Sequence, residues 1–238
     1  MKKTINTPRP PRSSEESKAL AMVNRRFFLR SAGIAATTGA FLLGACKGDD
    51  MMADPTVDLG SGDIGILNYA YALEQLEAAF YTQVIASPYA GMSAAEMSIL
   101  TDIRDHEIIH REFFKAALGT SAIPGLEVNF SAINFNDRAS VLGTAKVFED
   151  TGVSAYNGAG QLIKDAGYLL LAGKIVSVEA RHAAIIRDLL NPNSIDFAGD
   201  DIIDGNGLDL AKTPAMVLPA VAPFIKTMIS GNNLPKKS

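Results

Sequence analysis

The chain has 238 residues, room for one sizeable domain with appendages, and 47% hydrophobic with 20% charged residues describes a globular protein with a real core. Tryptophan is absent, aromatics are few and alanine is abundant, which favours helix over sheet. The formal net charge is −4, and it becomes about −10 once the first 45 residues are set aside with their eight Lys/Arg and two Asp/Glu, so nucleic acid, which needs a basic face, is excluded as a partner.

Residues 1–45 read as a targeting segment and not as part of the fold. "NRRFFLRSAG" places Arg25 and Arg26 ahead of Phe28, Leu29 and Arg30, and it resembles a twin-arginine export signal. The apolar run 32–45 that follows holds no acidic residue and is 14 residues long, shorter than the roughly twenty that span a bilayer. It ends in Leu43-Gly44-Ala45-Cys46, which resembles a bacterial lipobox, and Cys46 is the only cysteine in the chain. A lone thiol in an exported protein has no intramolecular disulfide partner. The lipobox resemblance implies that Cys46 is lipidated, and 46–62 is then expected to be a flexible tether. The expected partners are the twin-arginine export machinery and a membrane, through the lipid anchor. The expected location is the exported side, periplasmic or cell-surface.

Four helices are predicted next, over 63–86, 93 to about 118, about 137–160 and about 165–190. The first follows Gly-Ser-Gly and stops before Ser87-Pro88; the second opens on the capping-box pattern Ser93-x-x-Glu96 and closes at Gly119. The third begins after "FN", and the fourth stops at Asn191-Pro192. Two of the links are short, whereas 120–136 supplies 17 residues, enough at about 3.3 Å each to travel the length of a bundle. The expected fold is all-α: a four-helix bundle of two hairpins over 63–190 joined by one long crossover. Residues 191–238 form an irregular extension expected to pack on the bundle through Phe197, Leu218, Val221 and Phe224. Its Asp-rich part lacks the ligand spacing and terminal Glu of an EF-hand loop, so calcium is not expected there.

The chemistry lies in a repeat. Glu107 and His110 stand three apart on the second helix, and Glu179 and His182 stand three apart on the fourth. On the first helix Glu74 precedes Tyr81 by seven residues, and on the third Glu149 precedes Tyr156 by seven. Residues at i and i+3 share a face, and seven residues is nearly two turns. Folding the halves together brings four carboxylates to two imidazoles. Glu107 and Glu179 are then expected to bridge two metal ions, His110 and His182 to bind one each, and Glu74 and Glu149 to be terminal ligands. Two divalent ions neutralise four carboxylates, whereas four buried charges without them would be costly. Tyr81 and Tyr156 are expected to orient the terminal carboxylates. Glu77 is the alternative ligand on the first helix; its repeat counterpart, position 152, is Gly. His106 precedes Glu107 and is expected to be peripheral. Two Fe or two Mn ions share this ligand set.

The segments "LNYAYALEQLEAAFYTQ", "HEIIHREFFKAALG", "FEDTGVSAYNGA", "VEARHAAIIRDL" and "TPAMVLPAVAPFI" resemble the ferritin-like superfamily, most closely its exported ferritin-like domain family related to plant desiccation-related proteins. The resemblance covers about 63–228 and implies a ferritin-like four-helix bundle with a dinuclear site, but no single reaction. The leading expectation is an exported di-iron or dimanganese oxidoreductase, peroxidase/catalase-like or ferroxidase-like, acting on peroxide or dioxygen in oxidative or desiccation stress. The alternative is a non-catalytic stress or envelope protein with a structural metal site. Iron storage would need a cage of many subunits, which a lipid tether and a long tail disfavour; a smaller homo-oligomer remains compatible.

Overall fold

A computed structural model describes residues 56–236. Arg25, Arg26 and Cys46, on which the export and lipidation readings rest, lie outside the described residues. The protein is all-α, with four long helices: α1 (Gly62–Ala86), α2 (Ala94–Leu118), α3 (Arg138–Gly160) and α4 (Ala166–Leu190). The most extensive packing is α1 on α2 and α3 on α4, so the bundle is two hairpins set together.

Short polar side chains start the helices by taking up the first free N–H groups. The Ser93 hydroxyl accepts from Glu96 N at 3.1 Å, and the Glu96 carboxylate accepts from Ser93 N at 2.8 Å, completing the capping box of α2. Asp137 and Asp165 cap α3 and α4 by accepting from two backbone N–H groups each, without a return bond. Asp63, in the first turn of α1, instead accepts from the backbone of Lys164 and Asp165 at 2.9 and 2.8 Å, fastening α1 to the α3–α4 turn.

The crossover from α2 to α3 travels along α1. Ser121 and Ile123 bond to Asn68, Leu126 N donates to Gln75 at 2.8 Å, and Phe130 and Phe135 meet Phe80 with ring centres 6.0 and 5.9 Å apart. With one side on α2, another on α3 and a third under this connection, α1 buries 17 of its 25 residues. By contrast α4 buries six, in the stripe Ile175, Glu179, His182, Ala183, Ile186 and Arg187.

After α4 the chain makes a 3-10 turn at Asp196–Ala198, a short helix α5 (Pro214–Val221) and a second 3-10 turn at Ala222–Phe224. Val217, Val221 and Ile225 are buried, and the Phe224 ring stands edge-on to Phe148 with centres 4.8 Å apart. Leu218 is half-buried. Phe197 does not behave as the sequence predicts: it stays 54% exposed. The neighbouring segment is held by a charged residue, Arg187, whose guanidinium reaches both Asp150 and Asp201 at 2.7 to 3.0 Å. Two residues, β1 (Val57–Asp58), pair in parallel with β2 (Ile229–Ser230) beside the bundle. No helix among the described residues is long and apolar enough to cross a membrane.

Candidate metal centre

At the middle of the bundle all four long helices turn acidic or imidazole side chains inward. Glu74, Glu107, Glu149 and Glu179 are completely buried, and His110 and His182 are 9% and 4% exposed. These six residues form two overlapping groups, Glu74–Glu107–His110–Glu179 and Glu107–Glu149–Glu179–His182, with the donor atoms of each within 4.8 Å of one another.

The atoms are arranged with a two-fold pattern. His110 Nδ1 faces Glu179 Oε1 at 2.8 Å, Glu74 Oε2 at 3.5 Å and Glu107 Oε2 at 3.7 Å. His182 Nδ1 faces Glu107 Oε1 at 2.8 Å, Glu149 Oε2 at 3.6 Å and Glu179 Oε2 at 3.6 Å. Glu107 and Glu179 thus give one oxygen to each imidazole, whereas Glu74 and Glu149 each serve one. None of these close approaches has the directionality of a hydrogen bond. Glu74 Oε2, Glu149 Oε2, both oxygens of Glu107 and of Glu179, and both Nδ1 atoms are buried without a hydrogen-bond partner. Buried polar atoms are nearly always satisfied, so eight orphans converging on one place mark a site shaped for a ligand that accepts lone pairs. Two ions between the imidazoles would satisfy all eight, four donors each, with Glu107 and Glu179 bridging. The donor set fits metal ions.

The remaining oxygens of the terminal carboxylates are held by tyrosines, and the pairing crosses the bundle. Tyr81 on α1 donates to Glu149 Oε1 on α3 at 2.5 Å, and Tyr156 on α3 donates to Glu74 Oε1 on α1. Each Glu-x6-Tyr segment therefore supplies a ligand candidate to its own side and fixes the one opposite. Spacing along a helix reports which residues share a face, but not which tyrosine meets which carboxylate, so the exchange could not be read from sequence.

Electrostatics follow from crowding. Burial, and then the charge of Glu179, push the carboxyls of Glu74 and Glu107 above the usual carboxylate range. Burial likewise raises Glu149 to about 7. Glu179 goes the other way, to about 2: burial opposes ionisation, but the imidazoles of His110 and His182 outweigh it. His110 is pushed up to about 12, because the carboxylates of Glu107, Glu179 and Glu74 overcome the burial that would keep the ring neutral. A cation entering this centre meets anionic groups that otherwise share protons.

Both glutamates of α1 point inward. Glu74 belongs to a donor group; Glu77 does not, although it is only 3% exposed. Its Oε1 lies 3.1 Å from where a Cβ on Gly152 would sit. The repeat-equivalent positions face each other across the bundle, and the missing side chain at 152 makes the room that the Glu77 carboxyl fills. Burial first, then the charges of Glu107, Glu179, Glu149 and Glu74, push that carboxyl well above its ordinary range. The trace this contact leaves in the sequence is a glycine in the middle of a helix, where it costs about 1 kcal/mol relative to alanine; that it makes room for Glu77 shows only across the bundle.

His106 is exposed, as expected for a peripheral residue, but it is not detached: its Nδ1 lies 2.9 Å from Nε2 of His182. A cavity of about 520 Å³ lies elsewhere, between α3, α4 and the segment after α4, and is lined in part by Lys146, Arg187, Phe197 and Lys212; none of the six candidate ligands lines it.

The model of the ferritin-like domain family matches residues 62–192, from the first turn of α1 to just past α4. The chain belongs to the ferritin-like domain family. The match spans all four helices and every residue of the buried Glu/His cluster, which resembles a dinuclear metal site. A comparison with curated proteins finds no match.

Proposed function

We propose that this ferritin-like protein is an exported dinuclear di-iron or dimanganese carboxylate protein that reacts with peroxide or dioxygen under oxidative or desiccation stress. The observation that carries the reading is the set of eight buried, unpartnered donor atoms, two carboxylates of which face both imidazoles. Two such ions, held by Glu74, Glu107, His110, Glu149, Glu179 and His182, would supply one-electron redox chemistry. The chain's own residues do the rest. Glu107 and Glu179, which belong to both donor groups, would be shared by the two ions, and Glu74 and Glu149 would each hold one. Tyr81 and Tyr156 hold those two carboxylates still, and the full burial of all four carboxylates keeps bulk water away. The likeness of the helix sequences to the exported, desiccation-related branch supports the stress role, and the Arg25-Arg26 and Leu-Gly-Ala-Cys46 patterns support export and lipid anchoring.

Elemental analysis of protein matured in its native host should find two Fe or Mn per chain, and the double variant Glu107→Ala, Glu179→Ala should hold almost none. Full occupancy in that variant sinks the site. Full occupancy in the parent with no turnover of peroxide or dioxygen leaves a structural metal site instead. Delivery is tested separately. Arg25→Lys with Arg26→Lys should leave unprocessed precursor in the cytoplasm, and Cys46→Ser should release exported protein from the membrane fraction, because two acyl chains anchor where one is marginal.

A further inference from the structure

The six-residue centre is two-fold in its ligands but not in what stands behind them, and the difference falls on the imidazoles. His182 presents Nδ1 to Glu107, Glu149 and Glu179, and its other nitrogen, Nε2, meets Nδ1 of His106 at 2.9 Å. The two ring planes are within 10° of each other with centres 5.1 Å apart. Parallel rings overlapping face to face could not bring two nitrogens to 2.9 Å. These rings therefore lie edge to edge in nearly one plane, with a nitrogen of each pointing at the other, which is good hydrogen-bond geometry.

Chemistry then fixes the proton. A nitrogen that binds a metal must offer its lone pair, so a neutral His182 bound through Nδ1 carries its proton on Nε2. That N–H needs an acceptor, and the Nδ1 lone pair of His106 is where it points. His106 sits one residue before Glu107, and the repeat puts Val178 one residue before Glu179. Valine has no nitrogen to offer His110. The ligand repeat therefore continues through the metal-binding positions and breaks at this one.

We infer that His106 is a positioning residue for one half of the metal centre. By accepting the Nε2 proton of His182, it fixes the tautomer and ring plane that aim Nδ1 at the ion shared with Glu149, making the two metal positions unequal. The inference rests on the dinuclear reading but concerns a residue outside the ligand set. It joins the ion on the Glu149 side to an exposed imidazole through one hydrogen bond, whereas the ion on the Glu74 side has no such backing from the repeat.

The test uses the metal-free full chain, zinc as the probe ion, and the variants His106→Ala and His106→Asn. Calorimetric titration should show two ions entering the parent. In His106→Ala one of the two should bind about 10–100-fold more weakly, the usual loss when a ligand's hydrogen-bond partner is removed, while the other is unchanged. His106→Asn, whose amide oxygen can accept the same proton, should recover most of that loss; a merely structural role would weaken both ions together or neither. With only three histidines in the chain, ¹⁵N-histidine spectra resolve the pair directly. The parent should show nitrogen–nitrogen coupling through the hydrogen bond, with or without zinc, and His106→Ala should not. Two ions binding to His106→Ala as to the parent, or a parent without the coupling, overturns the assignment. A parent that takes up no zinc counts against the metal reading instead, and the coupling in the metal-free chain still decides whether His106 holds His182.

Discussion

The two hairpins carry the same ligand pattern, yet they are covered on the outside in different ways. The α1–α2 hairpin is roofed by the crossover, and the fastening is done by two amide side chains of α1. Asn68 donates to Leu59 O at 3.2 Å and to Ser121 O at 2.9 Å, and accepts from Ile123 N at 3.0 Å; Gln75 accepts from Leu126 N. The α3–α4 hairpin is roofed by the segment after α4, held by charge and by bare backbone. Arg187 clasps Asp150 and Asp201. The backbone of Lys212 comes so close to α3 that a Cβ on Gly158 would lie 1.9 Å from its carbonyl oxygen, while its N–H donates to Ser154 O at 2.8 Å. One roof is stitched by neutral hydrogen bonds inside the protein, and the other by an ion cluster at the rim and a close approach without side chains. One ligand pattern can thus be repeated on halves whose stability has different origins.

The largest expected effect lies at the close approach. Gly158→Ala cannot be absorbed by a side-chain rotation, because the obstacle is backbone, so residues 209–213 must move off α3. A loss of about 4 kcal/mol or more is expected in urea unfolding, in the range reserved for named core disruptions. A change under about 1 kcal/mol would mean that this roof is loosely held. Arg187→Leu comes next. It leaves Asp150 facing a pocket without its cation and frees Asp201, and should cost about 3 kcal/mol, the low end for breaking a buried pair, because Asp201 is 59% exposed. Salt should narrow that gap between variant and parent; for Asn68→Ala it should not. Asn68→Ala orphans the carbonyls of Leu59 and Ser121 and the N–H of Ile123, and should cost about 2 kcal/mol. If its cost depended on ionic strength, the contrast between the roofs would be wrong.

The smallest effect concerns the seam where the hairpins meet. Arg138 at the start of α3 bonds to Glu96 Oε1 at 2.7 Å and to Leu189 O at 2.7 Å, tying together the ends of α2, α3 and α4. The hydrogen bond from Ser93 N, and then Arg138, hold the Glu96 carboxyl down to about 2 from an ordinary 4.5. A depressed folded value means that the stabilisation is fully present above the unfolded value and fades as pH falls from about 4.5 toward 2. The unfolding midpoints of the parent and Glu96→Gln should therefore differ at pH 6 and converge near pH 2. Comparing the pair cancels the titration of the buried centre. A gap that persists at the lowest pH would show that the carboxylate's charge plays no part in the seam.

Much of this architecture was legible. The helix α2 announces itself by its capping box and α4 by its stop at Asn191-Pro192, each with a stripe on one face, and the short and long links between hydrophobic runs give the hairpin order. The chain supplies no such stripe for α1, because a helix buried on three sides is apolar nearly all round; its ends were found from Gly60-Ser61-Gly62 and Ser87-Pro88 instead. The six clustered residues were legible because a two-fold centre writes its pattern twice. What was not legible depends on reach across the bundle. The Tyr81–Glu149 and Tyr156–Glu74 exchange, the nesting of Glu77 over Gly152 and the His106–His182 contact all join helices far apart in sequence. Phe197 misled for a related reason: an apolar residue in a turn-rich stretch looks like an anchor, whereas the anchor is Arg187, a residue that sequence alone would send to solvent.

The parallel pairing of Val57 with Ile229 and Asp58 with Ser230 brings the two ends of the described chain side by side. The fold is topologically close to a ring with a single clasp. A short linker across that clasp, with new ends cut into the exposed turn at Gly205-Asn206, would give a circular permutant in which all four helices and both halves of the centre keep their neighbours. The part of the covering segment after Gly205, α5 included, would then be synthesised before the bundle instead of after it, while the order of the two halves and the place where they meet would stay the same.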